Sequence, residues 1–403
     1  MYRRSFVAFS LSLFLAASQA GAGEVARWNR VATDATLAQQ TDPLTESRWF
    51  AIVHASMHDA LNAIERRYEP YQAGIAGATA ASPETAVAAA AHASLVELMP
   101  ARKPAFDRAL AEALELVNDR RAAFAGLQAG RQAAAIVLAK RRDDGASRTV
   151  ARAAGKKAGE YRPTPPDLTP AFAAQWGDIR PFVLTKSSQF RPAPPLAPAS
   201  AGARAEMDEV RLIGGKTSAL RTAEQSEISR YWYESSPQGW NRIAREVAAA
   251  RGLDEWESAR LLALVNLAMA DGFIGGFEAK YHYNYWRPAS AIRESGHASW
   301  LSDLDTPPVP DYPSTHTVLG AAAAAVLARF FGTDLVSFSM TSGAPYEGIT
   351  RKFWGFSEAA QENGASRILA GIHFASAVRA GYEQGERIGA WTYERALRPV
   401  RPD

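Results

Sequence analysis

The chain has 403 residues, 47% of them hydrophobic, enough for one large domain or two smaller ones with a full core. Its 45 Lys and Arg stand against 42 Asp and Glu, a formal charge of +3, and that near balance argues against nucleic acid as a partner. Cysteine is absent, which excludes disulfides and thiolate metal sites.

Arg3 and Arg4 precede a mostly apolar run from Ser5 to Ala17, too short to span a bilayer comfortably. Ser18-Gln19-Ala20 or Ala20-Gly21-Ala22 offers the small residues a signal peptidase needs. Residues 1–22 therefore read as a signal peptide, with 23–403 as the mature, periplasmic or secreted chain. Cleavage after Ala20 removes two arginines and no acid, so the charge becomes 3 − 2 = +1. No later run approaches the roughly eighteen uninterrupted apolar residues of a spanning helix, so no stable membrane insertion is expected after cleavage.

From Leu44 to Ile64, Trp49, Phe50, Val53, Met57, Leu61 and Ile64 recur at helical steps. His54 and His58 lie one turn apart there. That spacing can hold a metal, but no third ligand is evident, and packed histidines are the simpler reading. Ser82-Pro83-Glu84 then opens an alanine-rich helix to about Met99, with a capping hydroxyl, a first-turn proline and an acid at the positive end. His92 within it reads as a packed residue. Lys103 to Val117 and Arg121 to Arg142 continue the helical pattern, which Asp143-Asp144-Gly145 stops. Residues 23–154 thus form a set of N-terminal helices.

Residues 155–198 are rich in proline, from Pro163 to Pro198, and proline lacks the amide hydrogen a helix needs. Phe172, Trp176, Phe182 and Phe190 argue that this irregular connector packs across the helical body and helps form a pocket rim. In residues 199–403 helical patterns resume over Ala203 to Leu212, Thr222 to Tyr233 and Gly239 to Ala250. They continue over Asp254 to about Lys280, Thr317 to Phe331, Ser357 to Leu369 and Phe374 to Leu397. Sustained alternation is lacking, so strands should be few. The fold class is all-α: a single helical domain with a long proline-rich irregular connector.

Three short stretches carry chemistry. They are KYHYNYWRP from Lys280 to Pro288, PSTH from Pro313 to His316, and SRILAGIH from Ser366 to His373. Together they supply three cations, a hydroxyl and, besides His282, two imidazoles. That set suits a tetrahedral oxyanion such as phosphate or vanadate. One histidine can attack or coordinate the central atom and the other can move a proton. Lys280 and Arg287, seven apart, would project from one helix face, with Pro288 ending the helix nearby. The plain alternative is two surface cations, which the dense aromatics Tyr281, Tyr283, Tyr285 and Trp286 make less fitting. Ser314 precedes a helix whose free N–H groups would favour an anion; the alternative is an ordinary cap beside a core histidine. Arg367 and His373, six apart, would diverge by about 120° on a straight helix. A shared site needs a break between them, and Gly371 is placed to provide it.

These stretches resemble the type 2 phosphatidic acid phosphatase and vanadium haloperoxidase superfamily, whose pattern is K-x6-R-P, P-S-G-H and S-R-x5-H-x3-D. Lys280, Arg287 and Pro288 fit the first part, and Pro313, Ser314 and His316 the second, with Thr315 where glycine is usual. Ser366, Arg367 and His373 fit the third, with Ala377 where aspartate is usual. Trp176-Gly177, Arg180-Pro181-Phe182, Phe190-Arg191-Pro192 and Arg221 to Gln225 look like the secreted bacterial haloperoxidase-like branch.

The resemblance implies a large helical bundle. It also implies a vanadate cofactor held by Lys280, Arg287, Ser314, Thr315 and Arg367. In that reading His373 coordinates the vanadium and His316 handles protons. The small-molecule partners would be hydrogen peroxide, a halide and an organic acceptor. In an acid phosphatase the same pocket would bind phosphate and hydrolyse a phosphate monoester through a phosphohistidine on His373. A third reading is a non-catalytic oxyanion-binding protein, against which the complete residue set argues. Thr315 would narrow the site or add a hydroxyl. Asp271, Glu278 or a backbone carbonyl are candidates to orient His373 in place of the aspartate missing at Ala377. Val309 stands where some haloperoxidases carry an aromatic or a histidine thought to tune halide handling.

Overall fold

Val25, Trp28, Ala32 and Ala35 recur at three- and four-residue steps and are buried on the first helix, α1 (Glu24–Ala38). The computed structural model describes residues 23–400; the segment read as a signal peptide lies outside them. The N-terminal helices are α1, α2 (Pro43–Ile64), α3 (Pro83–Leu98), α4 (Lys103–Glu115) and α5 (Arg120–Arg141). The caps follow the sequence: Ser82 Oγ accepts from the Thr85 N–H at 3.2 Å. After the connector come α6 (Ala201–Ile213), α7 (Ala223–Tyr231), α8 (Ser236–Ala250) and α9 (Glu255–Tyr283). The chain continues with α10 (Pro288–Glu294), α11 (Thr315–Phe330), α12 (Phe356–Leu369) and α13 (Ala375–Arg395). Among the described residues a single antiparallel hairpin, β1 (Phe338–Thr341) and β2 (Thr350–Phe353), pairs Phe338 with Phe353.

The axle is α9. It is long and apolar enough to cross a membrane, yet nearly all of its apolar stretch is buried inside the protein. Helices α2, α8, α11 and α13 pack around it. One apolar cluster runs from Val25 to Leu397 and takes in both halves of the chain.

A buried polar network ties α1, α2, α8 and α9 together. His54 Nδ1 lies 2.7 Å from the Phe50 carbonyl, which can only accept, so this nitrogen carries the proton. Its Nε2 accepts from Asn29 Nδ2 at 2.7 Å, and Asn29 also donates to Asn241, which exchanges bonds with Asn266. His58 faces Asp59 Oδ1 at 3.1 Å. Both rings are wholly buried with protein partners at their ring nitrogens, as packed histidines are. His92 is only partly buried and lies 2.8 Å from Asp107 on α4.

The connector is held down by specific bonds. Asp271 on α9 accepts the N–H groups of Phe182, Val183 and Leu184 at 2.6, 2.7 and 2.8 Å. Tyr283 donates to the Pro192 carbonyl at 2.6 Å, Tyr285 to Leu196 at 2.9 Å and Tyr312 to Ala193 at 2.7 Å. The tyrosines crowded around the first chemical block therefore pin proline-rich backbone that cannot satisfy itself in a helix.

Candidate active site

The last turn of α9 carries Lys280, and the helix stops at Asn284, which takes a left-handed conformation with φ 48°. Arg287 is extended and precedes Pro288, the first residue of α10. The two cations therefore do not share one helix face, as their seven-residue spacing predicts. A chain reversal brings them together instead. Lys280 is wholly buried and donates to the carbonyls of Pro310 (2.6 Å) and Asp311 (2.9 Å). Arg287 donates through Nε to Val309 (2.7 Å), and through Nη1 and Nη2 to Ile372 (2.7 Å) and Pro307 (3.2 Å). The carbonyls of the 307–311 loop thus brace both cations.

The break expected at Gly371 is present. Gly371 has φ 78°, its N–H reaches the Ile368 carbonyl at 2.9 Å, and the Ile372 N–H reaches Arg367 at 3.1 Å. This paired closure ends α12 and depends on a residue that tolerates positive φ. It turns Arg367 and His373 onto one cavity. Ser314 precedes α11; its N–H bonds the Ala377 carbonyl at 2.9 Å and its Oγ accepts from Thr317 at 2.9 Å, so the hydroxyl does not cap the helix.

Arg287, Thr315, His316, Arg367 and His373 line a cavity of about 350 Å³. Phe172 from the connector, Phe273, Phe277 and Val309 form its apolar wall, and Tyr233, Glu234 and Ser236 join the polar one. Lys280 and Ser314 lie outside that lining and are wholly buried.

Arg287 Nη1, which can only donate, lies 3.0 Å from His373 Nε2 and 3.4 Å from Nδ1; the Asp311 carboxylate beside Nδ1 favours the proton on that nitrogen and the lone pair on Nε2. Asp311 Oδ1 sits 2.9 Å from that Nδ1 and 3.8 Å from Arg287 Nη1. Neither carboxylate oxygen completes a hydrogen bond of good geometry, so the contact is one of charge and proximity. Burial pushes the Asp311 carboxyl up to about 7, against the pull of Arg287 and Lys280. Asp311 is thus the carboxylate that stands beside His373, with alanine at position 377. The candidates Asp271 and Glu278 are engaged elsewhere, Asp271 on the connector and Glu278 with Arg191. The signal for Asp311 was a lone acid in the otherwise apolar run from Pro307 to Pro313.

Ser236 is the other residue the motifs do not mark. Its Oγ lies 2.8 Å from His316 Nδ1, while His316 Nε2 is buried without a partner. Burial first, then Arg367, hold His316 well below the usual histidine range. Burial first, then Arg287, Lys280 and Arg367, do the same for His373. Both rings are neutral near pH 7. Burial, then Arg287, lower the Lys280 ammonium well below its ordinary value. Burial brings Arg367 down to about 10. The Arg367 guanidinium reaches one carbonyl, Trp232, at 3.5 Å; its Nε has no partner and no carboxylate pairs with it among the described residues.

Fold and cavity define a class: a helical bundle built around a buried, cation-rich pocket with two neutral imidazoles. Residues 260–402 match the family described as the VCPO second helical-bundle domain. A vanadium chloroperoxidase from Curvularia inaequalis is 29% identical over 185 residues, which is 36% of this chain and 30% of that protein. The match therefore spans less than a third of that relative. A solved bacterial vanadium-dependent iodoperoxidase has a TM-score of 0.83 at 26% identity, covering 94% of this chain and 98% of its own. A bacterial vanadium-dependent chloroperoxidase in its holo form has a TM-score of 0.71 at 18% identity, covering 88% and 91%. Residues 260–402 thus carry a vanadium chloroperoxidase-type helical-bundle domain, and the chain as a whole has the fold of the bacterial vanadium-dependent haloperoxidases.

Proposed function

We propose that this protein is a vanadate-dependent haloperoxidase that oxidises halide with hydrogen peroxide, with His373 as the vanadium ligand. One observation carries the reading. The Arg367 guanidinium and His316 Nε2, both buried and short of partners, line the same cavity as the His373 ring. Buried donors without acceptors are costly, and an oxyanion satisfies them. The residue set fits vanadate: two arginines in the lining with Lys280 behind them, a helix N-terminus and one imidazole lone pair.

Bound there, vanadate supplies Lewis acidity toward peroxide. The protein's part is binding, orientation and proton control. Arg287 and Arg367 neutralise the oxyanion, and Lys280 adds positive potential from behind the lining. Asp311 keeps the proton on His373 Nδ1, so Nε2 carries the lone pair that would bond the vanadium in place of the Arg287 N–H. His316, neutral and held at Nδ1 by Ser236, exchanges a proton at Nε2. Phe172, Phe273, Phe277 and Val309 limit water beside the charges. Overall, the peroxide O–O bond breaks, the halide gives up two electrons, one proton is taken up, and hypohalous acid and water result.

Asp311 also supports a second reading. It supplies the carboxylate that a phosphohistidine mechanism requires, with His373 attacking phosphorus and His316 protonating the leaving alcohol. A paired assay separates the two. Vanadate-loaded protein is given hydrogen peroxide with iodide, bromide or chloride, and vanadate-free protein is given a chromogenic phosphate monoester. The expected result is halide oxidation, easier for iodide and bromide than for chloride, and its loss in His373→Ala. Robust ester hydrolysis without halide oxidation at any vanadate concentration overturns the choice.

A further inference from the structure

Thr315 stands at the start of α11, where the family pattern has glycine, and its side chain lines the cavity with His316, Arg367 and His373. A β-branched residue at the point of closest backbone approach needs space, and α9 provides it. The Thr315 methyl lies over Gly276; a Cβ built on that glycine would sit 2.5 Å from Thr315 Cγ2. Any other residue at 276 would push the methyl away. Because methyl and hydroxyl branch from the same Cβ, seating one fixes the direction of the other.

The hydroxyl has no hydrogen-bond partner among the described residues. A helical threonine commonly bonds the carbonyl four residues back. Here that carbonyl belongs to Asp311, which already accepts from Lys280 at 2.9 Å. Thr315 Oγ1 is nonetheless not among the buried polar atoms left without a partner, whereas His316 Nε2 and Arg367 Nε are. It is therefore open to the cavity.

We infer that the Thr315 hydroxyl donates a hydrogen bond to the oxyanion held in the pocket, and that Gly276 sets this by receiving the threonine methyl. The inference rests on the reading that the pocket takes a tetrahedral oxyanion. It makes position 315 a side-chain ligand where the family pattern offers only backbone.

Isothermal titration with vanadate, and with inorganic phosphate as an unreactive analogue, tests it. Thr315→Val keeps the shape and removes the donor, and should weaken both anions by about tenfold, as for a lost hydrogen bond to a charged group. Thr315→Ser keeps the donor and should bind close to wild type. Gly276→Ala should weaken binding in the wild-type background and have little effect beside Thr315→Ser, where no methyl is present to collide. Wild-type affinity in Thr315→Val overturns the inference. Equal losses from Gly276→Ala in both backgrounds overturn the role of the methyl. If Gly276→Ala does not fold, the nearly isosteric Thr315→Val still decides. Failure of the wild-type protein to bind either anion removes the proposed function as well, whereas tight wild-type binding with an unchanged Thr315→Val removes this inference alone.

Discussion

At the scale of single residues, the charges were legible and their partners were not. In the proposed site, Lys280, Arg287, Arg367, His316 and His373 stand at fixed spacings because each would reach one centre from a fixed element. Asp311 and Ser236 would act through another side chain, and such residues can approach from any element. Asp311 comes from the loop before α11, and Ser236 from the start of α8. The position where the pattern has aspartate, 377, is wholly buried, and its carbonyl holds the Ser314 N–H instead. Asp311→Asn keeps the side-chain shape and removes the charge facing His373 Nδ1. Vanadate affinity, read by titration, should fall about 10–100-fold; unchanged affinity would leave Asp311 no part in orienting His373. Ser236→Ala should leave vanadate affinity intact and slow halide oxidation. The loss should not exceed the roughly 10²–10⁴-fold expected for removing His316 itself, and Ser236→Thr should restore part of it. A variant that loses vanadate binding instead would make Ser236 structural.

At the scale of elements, long periodic helices were readable and short or closely packed pieces were not. The pattern over 254–280 gives α9 within a few residues, but the left-handed turn at Asn284 carries no apolar signal. Helix α10 has seven residues, about two turns, too few to show a period. The α11–α13 contact was also invisible as hydrophobic pattern, because glycine makes it. Gly381 and Gly389 sit on one face of α13 against carbonyls of α11, and a Cβ at Gly381 would meet the Ser314 carbonyl at 2.5 Å. Gly381→Ala and Gly389→Ala should both destabilise the fold, by about 1–3 kcal/mol in urea unfolding, as for overpacking. Only Gly381→Ala displaces the start of α11, so only it should also weaken vanadate binding. Equal binding losses in both variants would sever this link between the helix seam and the site.

At the scale of the whole molecule, stability is tied to pH through the buried network around His54. This histidine joins α1 to α2, and through Asn241 and Asn266 the same network reaches α8 and α9. The ring must stay neutral: Nδ1 gives its proton to Phe50, and Nε2 must accept from Asn29, whose own oxygen is taken by Arg245. A second ring proton would face an amide donor. Burial lowers the His54 pKa from 6.5 to about 4, with the Phe50 carbonyl opposing and Arg245 adding to the shift. Between pH 4 and 6.5 the unfolded chain therefore binds more protons here than the folded one, so stability rises with pH across that window. The full contribution is present above pH 6.5 and is lost progressively as pH falls toward 4. It amounts to about 3 kcal/mol. His316 and His373 act in the same direction, and Glu46, raised by burial, in the opposite one. A comparison with His54→Gln cancels all three, since they are common to both proteins. Glutamine can donate to Phe50 and accept from Asn29 without titrating. Urea unfolding across pH 4–7 should show the wild type losing about 3 kcal/mol more than this variant as the solution is acidified. Parallel stability curves would mean that His54 does not couple folding to acid.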